Sequence, residues 1–362
     1  MPKSAKYLLI GSTEAYSGKS ATLLGIAHQL QQKGMDIAYG KPLGTCWDGN
    51  QASEVDEDVD FVAKTLKLPD NRLQPTILFL DEVTIQKRVS GEDRINYGQA
   101  LTQYLQMQEP ELVLLEGPAN LEEGTLFDLS LQNIAELVDA RVLLVARFHS
   151  LLIVGALISA KQRLGDRLLG VVINDIPEDR LEEVKTSVQP YLEERGIPIL
   201  GLLPRNALLR SVSVAELVHQ LRAEVLCRRD RLDLMVESLT IGAMNVNSAL
   251  KYFRKRRNMA VVTGGDRTDI QLAALETSTQ CLILTGQVPP SAAILSRAED
   301  LEIPILSVDL DTLTTVEIVD RAFGQVRVNE PIKVQCMFQL MDDHFNTDRL
   351  LTDLGLNPAV IG

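Results

Sequence analysis

The sequence predicts a doubly wound α/β fold with a mainly parallel sheet, followed by a smaller second α/β domain. Three observations carry this. Short apolar runs alternate with amphipathic stretches along the first ~210 residues, and strands apolar on both faces imply a parallel sheet covered by helices. A second and weaker series of the same kind begins after Pro204. The length of 362 residues suggests about two domains at roughly 150 residues each.

In chain order, the expected strands of the first domain are Tyr7–Ile10, Ile37–Gly40, Leu112–Leu115, Val142–Ala146, Leu169–Ile173 and Ile199–Leu202. The intervening helices are Lys19–Gln32, Val55–Leu66, Asn96–Gln106, Leu131–Val138, Ser150–Arg163 and Asp179–Glu194. In the second domain, Ala260–Thr263, Cys281–Thr285 and Ile303–Val308 read as strands, with helices near Asp269–Thr277 and Ser291–Ala298. This divides the chain into residues 1–214, 215–340 and a tail, 341–362, in which Asp342–Asn357 forms a short amphipathic helix.

Composition excludes several function classes. Lys and Arg total 36 against 49 Asp and Glu, a net charge of −13, which opposes binding to a phosphate backbone. Four scattered cysteines without a C-x-x-C pair argue against a disulfide framework or zinc ribbon. No apolar stretch approaches the ~20 residues of a membrane span, and the N-terminal run is too short for a signal peptide. A cytoplasmic location is expected.

The strongest chemical signal is Gly11-Ser12-Thr13-Glu14-Ala15-Tyr16-Ser17-Gly18-Lys19-Ser20, which follows a strand and opens a helix. In that context backbone N–H groups cradle phosphate oxygens, the lysine neutralises the β- and γ-phosphates, and the Ser20 hydroxyl ligates Mg²⁺. The candidate nucleotide contacts are Thr13, Glu14, Ser17, Gly18, Lys19, Ser20 and Ala21. The spacing departs from the standard motif, which has glycine where Thr13 stands; Gly11 comes two residues early. Lys19 is expected to face solvent without a ligand. Lys41-Pro42 ends the second strand and supplies a second cation. Glu116 ends the strand Leu112–Leu115 at the carboxyl edge, where open α/β sheets place ligands. The acidic run Asp56-Glu57-Asp58-Val59-Asp60 offers further metal ligands, or a solvated helix start favoured by the macrodipole.

Gly18-Lys19-Ser20, Gly40-Lys41-Pro42, Glu116-Gly117, Gly170-Val171-Val172-Ile173-Asn174 and Gly201-Leu202-Leu203-Pro204 occur in the order seen in dethiobiotin synthetase and the cobyrinic acid a,c-diamide synthases. The chain resembles still more closely the P-loop domain at the N-terminus of long bacterial phosphotransacetylases, over roughly residues 6–215. The resemblance implies an ATP site in which Lys19 and Lys41 contact phosphates or a reacting carboxylate. Ser20, Asp58 and Glu116 would bind Mg²⁺, and Asn174, with Pro204 nearby, would meet the adenine. Lys19, Lys41 and Glu116 are the implied catalytic residues. The ligases follow the catalytic acid with a glycine-rich loop, whereas this chain has Gly117-Pro118-Ala119-Asn120.

Further along, Val261-Val262-Thr263-Gly264-Gly265-Asp266-Arg267-Thr268-Asp269-Ile270 resembles the DRTGG domain over roughly residues 216–335. Gly264, Gly265, Asp266, Arg267 and Thr268 are its candidate ligand residues. Asp266 is expected to cap the following helix, and Arg267 to meet an anion or join an interface ion pair. Lys251–Arg257 is a strongly basic run and reads as a solvated helix end, with an anion or partner site as the alternative. In the family this resembles, acetyl transfer resides in a large C-terminal domain; with 27 residues after position 335, phosphotransacetylase activity is not expected of this sequence.

These readings converge on a cytoplasmic Mg·ATP-binding protein, a homodimer acting as a nucleotide-dependent regulator of a protein partner or responding to a small phosphorylated effector. The alternatives are an ATP-dependent carboxylate–amine ligase and a scaffold with structural ATP.

Overall fold

The computed structural model describes residues 6–44, 56–104 and 110–356. The chain divides into two compact units. The first comprises residues 1–205 together with 329–362, and the second residues 206–328.

The first unit is built on seven strands: β1 (Lys6–Ser12), β2 (Ile37–Gly40), β3 (Leu73–Gln74), β4 (Leu112–Glu116), β5 (Arg141–Arg147), β6 (Leu168–Ile176) and β7 (Ile199–Pro204). They pair in the order β3-β2-β4-β1-β5-β6-β7, all parallel. Leu8, Leu9 and Ile10 of β1, like Leu112–Leu115 of β4, are buried on both faces, which is why these runs lack a polar alternation. Helices α1 (Lys19–Gln32), α2 (Glu57–Leu66), α3 (Leu131–Leu137) and α4 (Ile153–Leu164) connect the strands. From β1 the chain crosses to β2 on one side, and β5 lies on the other. The carboxyl ends of β1 and β4 therefore form the switch point where α/β sheets open a crevice.

All six strands expected here are present. The additional β3 is two residues long, too short to show a period. The expected helix Asp179–Glu194 is realised as α-helical Glu178–Glu183 and Gln189–Glu193 joined by a π-helical Val184–Val188. Pro190 cannot donate to the carbonyl four residues back, and the wider turn lies just ahead of it. Cys46 and Trp47, and the ends of two expected helices at Val55 and at Leu105–Gln106, lie outside the described residues.

The second unit is built on a five-stranded sheet, β8 (Glu224–Cys227), β9 (Ser238–Ile241), β10 (Met259–Gly264), β11 (Thr279–Thr285) and β12 (Ile305–Ser307). Their order is β8-β12-β11-β10-β9, with β8 antiparallel and the rest parallel. Helices α5 (Val246–Phe253), α6 (Thr268–Leu275) and α7 (Ala292–Asp300) cover one face through Phe253, Ile270 and Ile294. The helix Val214–Leu221 and α8 (Thr312–Gly324) cover the other.

The chain then returns to the first unit as α9 (Pro331–His344) and α10 (Thr347–Leu354). The sequence reading differs here on two counts. It places the first division at 214/215, where the structure divides at 205/206, and it leaves the C-terminus as a separate tail with one helix, Asp342–Asn357. Instead a break at Phe345–Asn346 separates two helices, and Asn346 N–H bonds Leu200 O at 2.8 Å, covering the β7 edge of the sheet. Gln29 of α1 is buried and donates to Asp342 at 2.9 Å, while Thr347 Oγ1 donates to its carbonyl oxygen. His28 stacks on Phe338 at 3.8 Å. A Cβ on Gly25 would come within 2.5 Å of Met341, so α9 lies directly on the glycine face of α1.

Candidate phosphate-binding site

The loop after β1 is shaped by its neighbours. Gly11 does not belong to the phosphate-binding turn: a Cβ there would lie 2.4 Å from Leu131, and one on Gly117 2.7 Å from the same side chain. Both glycines let α3 close on the sheet, which explains a glycine two residues too early. Thr13 still donates its N–H to Val145 O of β5, and Ser12 Oγ bonds Ala119 O at 2.7 Å. The turn itself runs through Tyr16 (φ 56°) and Gly18 (φ 91°) into the N-terminus of α1. Gly18 is required both for that left-handed φ and for space, since a Cβ would sit 2.2 Å from Asn174 Nδ2. Asn174 donates to Ser17 O at 2.9 Å. The amide expected near adenine thus braces the loop from the end of β6. Ser17 Oγ is buried without a hydrogen-bond partner, and a buried hydroxyl without a partner calls for an explanation.

Lys19, Ser20 and Glu116 come together. Glu116 Oε1 accepts from Lys19 Nζ and from Ser20 Oγ, each at 2.7 Å, and Lys19 also donates to Gly117 O at 2.8 Å. Lys19 therefore does not face solvent: its side chain is only 12% exposed and is engaged by the acid at the end of β4. Glu116 Oε2 accepts from Tyr39 OH at 2.8 Å. Burial alone would push the Glu116 carboxyl up, but the Lys19 and Lys41 charges and the Lys19 and Ser20 hydrogen bonds hold it down at about 2. It is ionised at neutral pH. Tyr39, fully buried beside that carboxylate, is raised well above the ordinary phenol value by burial and then by Glu116, so it remains a donor.

Lys41 is placed differently from the expectation of an open second cation. It is 4% exposed, with Nζ 2.9 Å from Asp56 and 2.5 Å from Asp58. Burial lowers its affinity for a proton, but the surrounding Glu116, Asp58 and Asp56 charges more than reverse this, and its pKa rises. Asp56 has two tasks, pairing with Lys41 and accepting the Asp58 N–H at 2.9 Å as the N-cap of α2. Asp58 stands with Lys41. The acidic run is part ion-pair partner and part helix start: Asp60 pairs with Lys64 on the surface.

Among the remaining candidates, Glu14 meets His149 at 2.8 Å on the exposed rim of the loop, and Ala21 is half-buried in the first turn of α1. Pro204 ends β7 in register with Ile176, two residues beyond Asn174. Three charged groups at this edge escaped the sequence reading: Asp175 (φ 61°) takes Arg147 at 3.0 Å and Arg205 at 2.9 Å. Tyr39 also went unnoticed, since a tyrosine inside an apolar strand reads as core.

In the second unit the Gly264–Thr268 turn is held internally. A Cβ on Gly265 would be 1.9 Å from Val288 O, so this glycine admits another stretch of backbone. Asp266 does not cap α6. Arg267 occupies the N-cap position without a side-chain cap bond, pairing with Asp269 at 3.2 Å and donating to Met244 O at 2.9 Å. Thr268 opens the helix, and fully buried Gln271 donates to Gly264 O and Gly265 O at 2.9 and 3.0 Å. The basic run ends α5 in solvent, with Phe253 as its buried anchor.

A family model described as an AAA domain matches residues 6–213. The chain belongs to that family. A second model, described as a DRTGG domain, matches residues 216–322. "Phosphate acetyltransferase" of Synechocystis sp. is 24% identical over 364 residues, covering 96% of this chain and 51% of that protein. The protein of the same name from Nitratidesulfovibrio vulgaris is 26% identical over 366 residues, with 95% and 51% covered. "Probable cobyric acid synthase" of Methanosphaera stadtmanae is 23% identical over 232 residues, 56% of this chain and 46% of that protein. The chain spans about half the length of the curated relatives it matches. It is thus a P-loop AAA-domain unit joined to a DRTGG domain, like the corresponding part of the phosphate acetyltransferases. No helix among the described residues is long and apolar enough to cross a membrane.

Proposed function

We propose that the first unit binds Mg·ATP at the Thr13–Ala21 loop and acts as a slow, nucleotide-dependent regulatory ATPase. The carrying observation is the convergence of Lys19 and Ser20 on an ionised Glu116 directly beneath a helix N-terminus. The N–H groups at the N-terminus of α1 and the orphaned Ser17 hydroxyl suit phosphate oxygens. A serine hydroxyl beside one carboxylate suits Mg²⁺, which keeps waters and takes few protein ligands. The metal supplies charge neutralisation at the phosphates. Lys19 would leave Glu116 for the β/γ-phosphates, Ser20 would hold the metal, and Glu116 would orient its water shell or the attacking water. Asn174 and Pro204 would flank the base.

The ligase reading needs Lys41 open to a reacting carboxylate. Its burial between Asp56 and Asp58 and the Gly117-Pro118-Ala119-Asn120 loop favour the regulator, with Lys41 and Asp58 setting the charge around Glu116. The DRTGG unit would supply dimerisation or a site for a phosphorylated effector or protein partner, with Arg267 its anion contact. The test is Glu116→Gln in the 362-residue chain. Mg·ATP affinity by calorimetry should persist while ADP release falls at least tenfold. Equal turnover in both proteins would reduce Glu116 to a strand terminator.

A further inference from the structure

The proposed metal site depends on a carboxylate held at both oxygens, and the second hold comes from a residue with no part in the loop motif. Tyr39 lies in the middle of β2, fully buried, with its Cα in register with Leu114 of β4. Glu116 is two residues further along β4 on the same face, and the tyrosine ring spans that step to donate to Oε2 at 2.8 Å. Oε1, at the same time, faces Ser20 Oγ and Lys19 Nζ. The two oxygens thus have separate partners: one set arrives with α1, the other is fixed in the sheet. A phenol in an apolar sheet is costly unless its hydroxyl is bonded, and a phenylalanine would fill the same space.

We propose that Tyr39 is a positioning residue for the metal site: its hydroxyl pins Oε2 so that Oε1 stays turned toward Ser20 when Lys19 moves to the phosphates. This rests on the Mg·ATP reading above. In the ligand-free arrangement Lys19 and Ser20 themselves orient Oε1. Once Lys19 is drawn away, the carboxylate loses its strongest hold on that side. Tyr39 is then the bond that keeps the group from rotating about its Cγ–Cδ axis. Its role is to set where the negative oxygen stands, without touching nucleotide.

The test is Tyr39→Phe, which deletes one oxygen. ATP binding is titrated in excess chelator, and the Mg²⁺ concentration for half-maximal nucleotide hydrolysis is measured separately. The proposal expects metal-free ATP affinity within twofold of the parent and a Mg²⁺ requirement raised roughly tenfold, the scale of one lost hydrogen bond to a charged group. Leu114→Val, in register with Tyr39, serves as a packing control and should leave the Mg²⁺ requirement unchanged. If Tyr39→Phe leaves that requirement unchanged, or if the control shifts it equally, the positioning role is refuted. Failure of the parent protein to bind ATP at all would instead remove the reading beneath it.

Discussion

Replacing Lys19 with alanine tests the site in the ligand-free protein as well as in the nucleotide complex. A cation waiting in solvent would contribute nothing to folding. Here it pairs with an acid that is 1% exposed, and removing one partner of a buried pair costs ~3–5 kcal/mol. Ser20, Tyr39 and the nearby Lys41 remain around Glu116, so the lower end, about 3 kcal/mol, is expected at pH 7. The pH dependence has a definite sign. Glu116 falls from 4.5 in the ordinary state to about 2 in the fold. Its contribution is therefore complete above about pH 4.5 and is lost as pH drops toward 2. Lys19→Ala removes the largest favourable charge acting on it, so the stability gap between parent and variant should narrow through that window. Urea unfolding at pH 7 and pH 3 measures both effects. Mg·ATP affinity should also fall at least tenfold, given ~1.5–3 kcal/mol for a charge-assisted contact. Equal unfolding free energies at pH 7 would refute the buried-pair argument, and equal ATP affinity would refute the phosphate loop.

Three further outcomes follow from the packing. Gly265→Ala drives a methyl into Val288 O and should destabilise the second unit by ~1–3 kcal/mol, read as a lower thermal midpoint. Asp56→Ala removes both the α2 cap and a Lys41 partner; a loss of at least ~2 kcal/mol is expected by denaturant titration. Deleting residues 329–362 strips α9 and α10 from α1, and limited proteolysis should then cut the first unit much faster than in the full chain.

Strands buried on both faces were legible because their apolar runs are unbroken, as in Leu112–Leu115 and Val142–Ala146. Lys19, Ser20 and Glu116 were legible because their chemistry depends on short spacings and strand ends. What stayed hidden depends on contacts distant in sequence. Nothing local marks Lys41 as buried, since lysine is ordinarily exposed; its burial is made possible by Asp56 and Asp58, fifteen and seventeen residues on. Gly11 misleads because a packing glycine and a phosphate glycine look alike in one dimension. The helix α9 was missed because Pro331–His344 alternates polar and apolar residues without a clear face, and its partner, α1, lies some three hundred residues earlier in the chain.

The chain enters and leaves the second unit from the first. The polypeptide leaves the first unit after Arg205, one strand from the Asn174 brace on the phosphate loop, and re-enters at Asn329 just before the helix that grips α1. Arg205 is tied back by its N–H to Ile176 O at 2.7 Å and by its guanidinium to Asp175, the residue next to Asn174. The DRTGG unit is thus an insertion between Arg205 and Asn329: one junction follows β7, beside the strand that carries the loop brace, and the other leads into α9, which packs on α1. A ligand of the second unit that prefers one conformation would bias ATP affinity through either junction, and reciprocity demands the converse. A fragment ending near residue 215 cannot serve as the uncoupled reference, because it lacks α9 and α10. The reference must instead keep residues 1–205 and 329–362 joined by a flexible linker, so that the site framework survives and only the inserted unit is missing.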